Sequence, residues 1–247
     1  MVEYIEEVMF IDLSVADEAQ LKGILTDAIN GTGIYHAEGV IRSGWNNFSG
    51  DIVKDEIYTD HNGNYSVTLP IGYYTIEFCK EGYIHSYVNV VVYPMIVIQN
   101  AVMCPELEEN EIRVVLTWGN SPRDLDSHLA LYMGNIISQH IFYGSKICYD
   151  PYTGKEYSLD VDDTFSYGPE TITFYTDNPL IDEYVYYVHN FSGGSVGNEL
   201  SLSGAKVTIY YGSQESRTIN VPLNETGRTW NVFRIVNGTI IIDNTIS

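Results

Sequence analysis

Thr59-Asp60-His61-Asn62-Gly63-Asn64-Tyr65-Ser66-Val67 is the stretch whose reading decides the fold. Asn62-Gly63 can supply the positive φ angles of a tight turn, and alternation of apolar and polar residues resumes at Tyr65, so a hairpin is expected. Leu69-Pro70-Ile71-Gly72-Tyr73-Tyr74-Thr75-Ile76 repeats the logic, with Pro and Gly turning the chain into a new strand. Glu81-Gly82-Tyr83 turns it again before Tyr87–Tyr93. Working outward, the same short segments of Tyr, Val, Ile and Thr, punctuated by Gly, Asn and Asp, run through the chain; tyrosine alone accounts for 21 residues. Strands are expected at Leu21–Asp27, Tyr65–Leu69, Tyr74–Cys79, Tyr87–Tyr93, Arg113–Trp118, Thr171–Tyr175, Tyr184–His189, Lys206–Tyr211, Thr229–Val236 and Thr239–Asp243. No stretch sustains a helical apolar period. Val15–Leu25, opened by Ser14, is the best helix candidate, and Gly23 argues instead for a loop running into a strand. The class is all-β, as two tandem β-sandwich domains.

A chain of 247 residues holds one large or two medium domains. The break falls at Cys104-Pro105-Glu106-Leu107-Glu108-Glu109-Asn110-Glu111, acidic and proline-bearing between two β-patterned regions. Residues 1–104 then form the first sandwich, with 1–19 as an N-terminal extension, 105–111 a linker, and 112–247 the second sandwich. Ser43–Lys54 and Tyr149–Tyr157 read as local insertions. With 33 acidic and 12 basic residues the net charge is −21, which repels phosphate backbones and anionic membrane surfaces. No nucleic-acid partner and no membrane insertion are expected; Val88–Ile98, the longest β-rich run, is interrupted by Asn89, Tyr93 and Pro94. Cys79, Cys104 and Cys148 match no zinc spacing and are too few for a disulfide scaffold. One pair with a free thiol, or three thiols, remain open.

Two acidic runs are the constellation that could carry chemistry. The first is Trp118-Gly119-Asn120-Ser121-Pro122-Arg123-Asp124-Leu125-Asp126-Ser127-His128-Leu129. The second is Leu159-Asp160-Val161-Asp162-Asp163-Thr164, followed by Tyr167-Gly168-Pro169-Glu170-Thr171. Alternation puts Leu125, Ser127 and Leu129 on one face of a strand and Asp124, Asp126 and His128 on the other, pointing outward. Asp160 and Asp162 pair off outward in the same way. Gathered carboxylates raise one another's pKa, and a cation relieves the repulsion. Asp124, Asp126, His128, Asp160, Asp162, Asp163 and Glu170 are therefore the candidate metal ligands. Ca²⁺ suits the oxygens, His128 points toward a transition metal, and acids that merely cap loops remain the plain alternative. Trp118, Tyr187 and His189 are candidate ligand-binding side chains. Gly193-Gly194-Ser195-Val196-Gly197 fits a G-x-S-x-G pattern but lacks the strand-to-helix context that the nucleophile elbow needs; His128, His140 and His189 have no Ser or Cys motif pointing at them.

The ordered turns at Gly23–Gly33, Thr59–Tyr65, Leu69–Tyr74 and Gly82-Tyr83 resemble the carboxypeptidase regulatory-like family, a transthyretin-like sandwich, over residues 20–103. That resemblance implies an accessory module without catalysis of its own. From residue 112 to 243, Leu116-Thr117-Trp118-Gly119, the two acidic runs, Tyr186-Tyr187-Val188-His189-Asn190, Ser203-Gly204-Ala205-Lys206-Val207 and Trp230-Asn231-Val232-Phe233 resemble a YfaP-related bacterial domain of unknown function. It implies a β-sandwich on a secreted or surface-exposed bacterial protein. The reading is a non-catalytic secreted or cell-surface module, part of a longer multidomain protein, that binds glycan or protein and holds a structural Ca²⁺. One alternative is a metal-dependent hydrolase with His128, Asp126 and Asp162 as ligands and Glu170 as base. The other is a spacer that displays neighbouring domains.

Overall fold

The structure, a computed structural model, describes residues 17–193, 197–212 and 216–247. Its first half contains β1 (Glu18–Asp27), β2 (Glu38–Ser43), β3 (Ile52–Tyr58), β4 (Asn64–Pro70), β5 (Gly72–Cys79), β6 (Ser86–Val92), β7 (Val97–Ile98) and β8 (Ala101–Met103). One sheet runs β4-β1-β7, with β8 also on β1, and the other runs β3-β2-β5-β6. β1 alternates buried and open positions along its length. It carries Leu21 and Leu25 into one core with Ile41, Ile76 and Phe78 of the facing sheet. Gly23 is explained by its neighbours: a Cβ there would meet the Gln99 carbonyl oxygen at 1.8 Å and the Tyr65 hydroxyl at 2.6 Å.

The Asn62-Gly63 turn forms as expected, with Gly63 at φ 78°. The Asp60 carboxylate accepts from the Asn62 and Asn64 amides at 2.8 and 2.9 Å. It is not a hairpin, however. β3 pairs with β2 while β4 pairs with β1, so the turn arches from one sheet to the other. The turn at Ile71 crosses layers in the same way, and only the Glu81-Gly82-Tyr83 turn joins paired strands, β5 and β6. A positive-φ turn specifies the reversal and leaves open whether the two arms pair or part. Ser43–Lys54 is also no simple insertion: Ser43 ends β2 and Ile52–Lys54 begin β3.

The second half contains β9 (Glu111–Thr117), β10 (Leu125–Met133), β11 (Ile136–Ile141), β12 (Ile147–Tyr149), β13 (Glu156–Val161), β14 (Glu170–Tyr175), β15 (Glu183–Asn190), the one-turn α1 (Glu199–Leu202), β16 (Lys206–Tyr211), β17 (Arg217–Asn220), β18 (Thr229–Val236) and β19 (Thr239–Ile246). Two sheets, β11-β10-β15-β18-β19 and β12-β13-β14-β9-β16-β17, pack over a core holding Leu116, Leu129, Tyr157, Phe174, Tyr186 and Trp230. Tyr149–Tyr157 is a hairpin turn fixed by Asp150. Its carboxylate accepts from the Tyr152 amide at 2.7 Å and the Tyr157 hydroxyl at 2.6 Å.

The acidic segment after β8 is less detached than its composition predicts. Cys104 is fully buried and joins Ala28, Val115 and Tyr210 in a small third cluster where the two halves meet. Arg113 donates to the Pro105 carbonyl at 3.0 Å and reaches the Cys104 sulfur at 3.2 Å. All three cysteines are unpaired.

Candidate metal centre and ligand cleft

β10 carries the first acidic run. Leu125 and Leu129 face the core as expected, and Asp126 and His128 lie on the opposite face. They do not point into solvent: Asp126 is 4% exposed and His128 7%. His140 of the edge strand β11 and Phe142 just after it cover the His128 ring. His128 stacks with Phe142 at 5.4 Å and with Tyr187 at 4.6 Å between ring centroids. Alternation settles which face a side chain takes and says nothing of what lies over that face.

Three carboxylates converge. One oxygen each from Asp126, Asp162 and Glu170 lie within 4.8 Å of one another. Glu170 heads β14, in the facing sheet. Its placement follows from the turn before it, where Gly168 sits at φ 73° and a Cβ would come within 2.7 Å of the Trp118 ring. Glu170 is 1% exposed and accepts from the Ser127 amide at 2.5 Å. Asp124 and Asp163 flank the trio, and both charges act on it or on each other. Asp163 also accepts from the Phe165 amide at 2.8 Å. Lys146 takes one oxygen of Asp162 at 2.5 Å. Asp124 Oδ1, Asp126 Oδ2 and Asp162 Oδ1 are buried with no hydrogen-bond partner.

Electrostatics record the crowding. Burial, then Asp124 and Asp162, push the Asp126 pKa up to about 7. Burial raises Glu170 well above the ordinary carboxylate value despite its bonds from Ser127, and it raises Asp124 as well. Buried, like-charged, under-bonded carboxylates fit a divalent cation that prefers oxygen.

Asp160 does not join them. A bulge between Leu159 and Val161 breaks the alternation of β13. Asp160 instead accepts from the Ser158 and Thr173 hydroxyls at 2.6 and 2.5 Å. Trp118 is mostly buried as well. It is 5% exposed and packs in the second core. Its indole N–H donates to the Pro122 carbonyl at 3.0 Å, and the ring meets only the wall of a recess of about 380 Å³. Tyr187 and His189 are half-buried on the outer face of β15. Ser195 of the G-x-S-x-G pattern lies outside the described residues.

A larger cleft, about 690 Å³, runs between the two halves. Trp45, Phe48 and Tyr87 line it from the first and Lys206, Thr208 and Asn220 from the second. Trp45, Phe48 and Tyr87 are each exposed. Asn46 and Asn89 brace the loop after β2 by exchanging two hydrogen bonds, at 2.9 and 2.6 Å. Among the described residues, no carboxylate lines this cleft, on a chain of net charge −21. Sequence reading missed it because Trp45 and Phe48 sit in the segment taken for an insertion, and only the fold brings β16 and β17 opposite them.

No protein-family model matches the chain, and no curated protein does. Among solved structures it is similar to a homologue of the telluride resistance protein TerD from Streptomyces coelicolor A3(2), at 17% identity and TM-score 0.39, over 56% of this chain and 92% of that one. It is similar to BcpA, the major pilin subunit of Bacillus cereus, at 12% identity and TM-score 0.33, over 86% and 68%. A DUF3823 family protein from Parabacteroides merdae follows at 12% identity and TM-score 0.30, over 70% and 90%. Likenesses this weak transfer no function.

Proposed function

We propose that this chain is a non-catalytic interaction module of the cell exterior, with a Ca²⁺ at Asp126, Asp162 and Glu170 and a glycan in the cleft beside Trp45. The observation that carries the cation is the set of buried, partnerless oxygens on Asp124, Asp126 and Asp162. A proton also relieves them, and Ca²⁺ replaces it with more ligands satisfied at once. Ca²⁺ takes six to eight oxygens, so loop carbonyls and water complete the shell. Such a site fills where Ca²⁺ is plentiful, outside the cell. The family resemblances and the extracytoplasmic placement belong to this reading, as does the division at residues 105–111.

The glycan part rests on the cleft. Exposed aromatic faces stack on sugar rings, while amide and hydroxyl groups such as Asn89, Thr208 and Asn220 bond their hydroxyls. Melting in Ca²⁺ against EDTA tests the cation. At a hundredfold excess over Kd the native state gains about 2.7 kcal/mol, which is about 5–10 °C for a chain of this size. An unchanged melting temperature overturns it. A glycan array probed with the native chain and with Trp45→Ala tests the cleft. Signal lost in the variant supports it; no glycan bound, or signal unaltered by the variant, overturns it.

A further inference from the structure

Beside the carboxylate trio lies a second ligand set with a different chemistry. Asp126 and His189 are directly paired across β10 and β15, and His128 and Tyr187 are the next pair on the same face. One ligand atom each from Asp126, His128 and His189 lie within 4.8 Å of one another. The His128 ring is fixed by its stacking on Phe142 and Tyr187 and by Nδ1, which is 3.0 Å from His140 Nε2. The Tyr187 hydroxyl also lies 3.2 Å from His140 Nε2. With His140 Nε2 as the acceptor, His128 Nδ1 carries the proton and His128 Nε2 presents a lone pair. That Nε2 is buried and has no hydrogen-bond partner, and neither has Asp126 Oδ2. A metal-binding histidine is oriented in this way, with one nitrogen bonded to a supporting group and the other free.

We infer that Asp126, His128 and His189 form a site for a divalent first-row transition metal such as Zn²⁺, separate from the Ca²⁺ position and sharing only the Asp126 carboxylate with it. Two imidazoles and one carboxylate suit such a metal and are a poor set for Ca²⁺, which takes oxygen. Three protein ligands leave a coordination position for water or a donor from a bound molecule.

A rival trio, Glu77, Cys79 and His85, lies in the first sandwich, so the experiment must tell the two apart. Co²⁺ is titrated into tag-free protein and followed by its visible d–d absorption. The native chain should take up one Co²⁺ at this site. His189→Ala should weaken uptake by more than the about tenfold to hundredfold expected of His140→Ala, which removes only a supporting group. Cys79→Ser and Glu170→Gln should retain uptake. His189 is half-buried, so its variant keeps the test available if His128→Ala fails to fold. No Co²⁺ spectrum in the native chain, or one that survives His189→Ala, overturns the site, as does a spectrum lost in Cys79→Ser. The Ca²⁺ reading stands or falls apart from this result: Glu170→Gln removes Ca²⁺ stabilisation and leaves Co²⁺ binding, and His189→Ala does the reverse.

Discussion

Glu77 in the first sandwich and Asp126 in the second are both buried strand carboxylates, 8% and 4% exposed, and their surroundings differ in kind. Burial pushes the Glu77 pKa up, but hydrogen bonds from Tyr87, Arg42 and His85 outweigh it and hold the carboxyl below its ordinary value. Arg42 reaches it at 2.6 Å, Tyr87 at 2.7 Å and His85 at 3.0 Å. Asp126 has no such partner on Oδ2 among the described residues, lies near two other carboxylates and is pushed up to about 7. Burial alone therefore does not mark a functional acid. Glu77 is satisfied by neighbours in its own chain, whereas Asp126 Oδ2 is buried without a hydrogen-bond partner among the described residues.

The comparison breaks or sharpens under four measurements. Arg42→Ala should have the largest effect, about 3–5 kcal/mol by urea unfolding, because it strands a buried charge. A cost below about 1 kcal/mol would place Glu77 with ordinary exposed pairs. Glu170→Gln should come next. It should abolish the Ca²⁺-dependent gain of about 2.7 kcal/mol and leave the melting temperature in EDTA the same or higher, since a repelled acid has gone. A melting temperature that still rises with Ca²⁺ would separate Glu170 from the site.

The pH response should be smaller and opposite in sign at the two places. Asp126 has a folded pKa of about 7 against 3.8 for the free side chain. Between these the folded chain holds the extra proton, so in EDTA this group's contribution to stability falls as pH rises. Glu77, with its lowered folded pKa, contributes stability above its ordinary value and loses it as pH drops. Melting profiles in EDTA from about pH 4 to about pH 8 should therefore flatten at their upper end in Asp126→Asn. A profile identical to the native one would show that Asp126 ionises normally. Smallest of all, Trp45→Ala should change stability by no more than about 0.5 kcal/mol in chemical unfolding, because the exposed ring serves the cleft and not the core.

Much of the fold was legible because alternation and turn residues are local. Lys206–Tyr211 and Thr229–Val236 form strands with the expected limits. What local pattern could not reveal is which sheet a strand enters, hence the two arches at Asn62 and Ile71. The convergence of the candidate site's carboxylates was half legible. Asp126, Asp162 and Glu170 were marked by charge spacing, but the bulge in β13 that removes Asp160 has no signature in alternation. Register with β15 makes His189 the neighbour of Asp126, a pairing across distant sequence that no single-strand pattern contains. The Trp118 ring was spent on packing against a glycine turn, which composition cannot distinguish from display.

β1 runs parallel to both β7 and β8, with Leu21 opposite Val97 and Leu25 opposite Ala101. Tension between Glu18 and Met103 would pull these parallel strands past one another lengthwise. The ladder would then be loaded in shear, many hydrogen bonds sharing the force, instead of being unzipped one at a time.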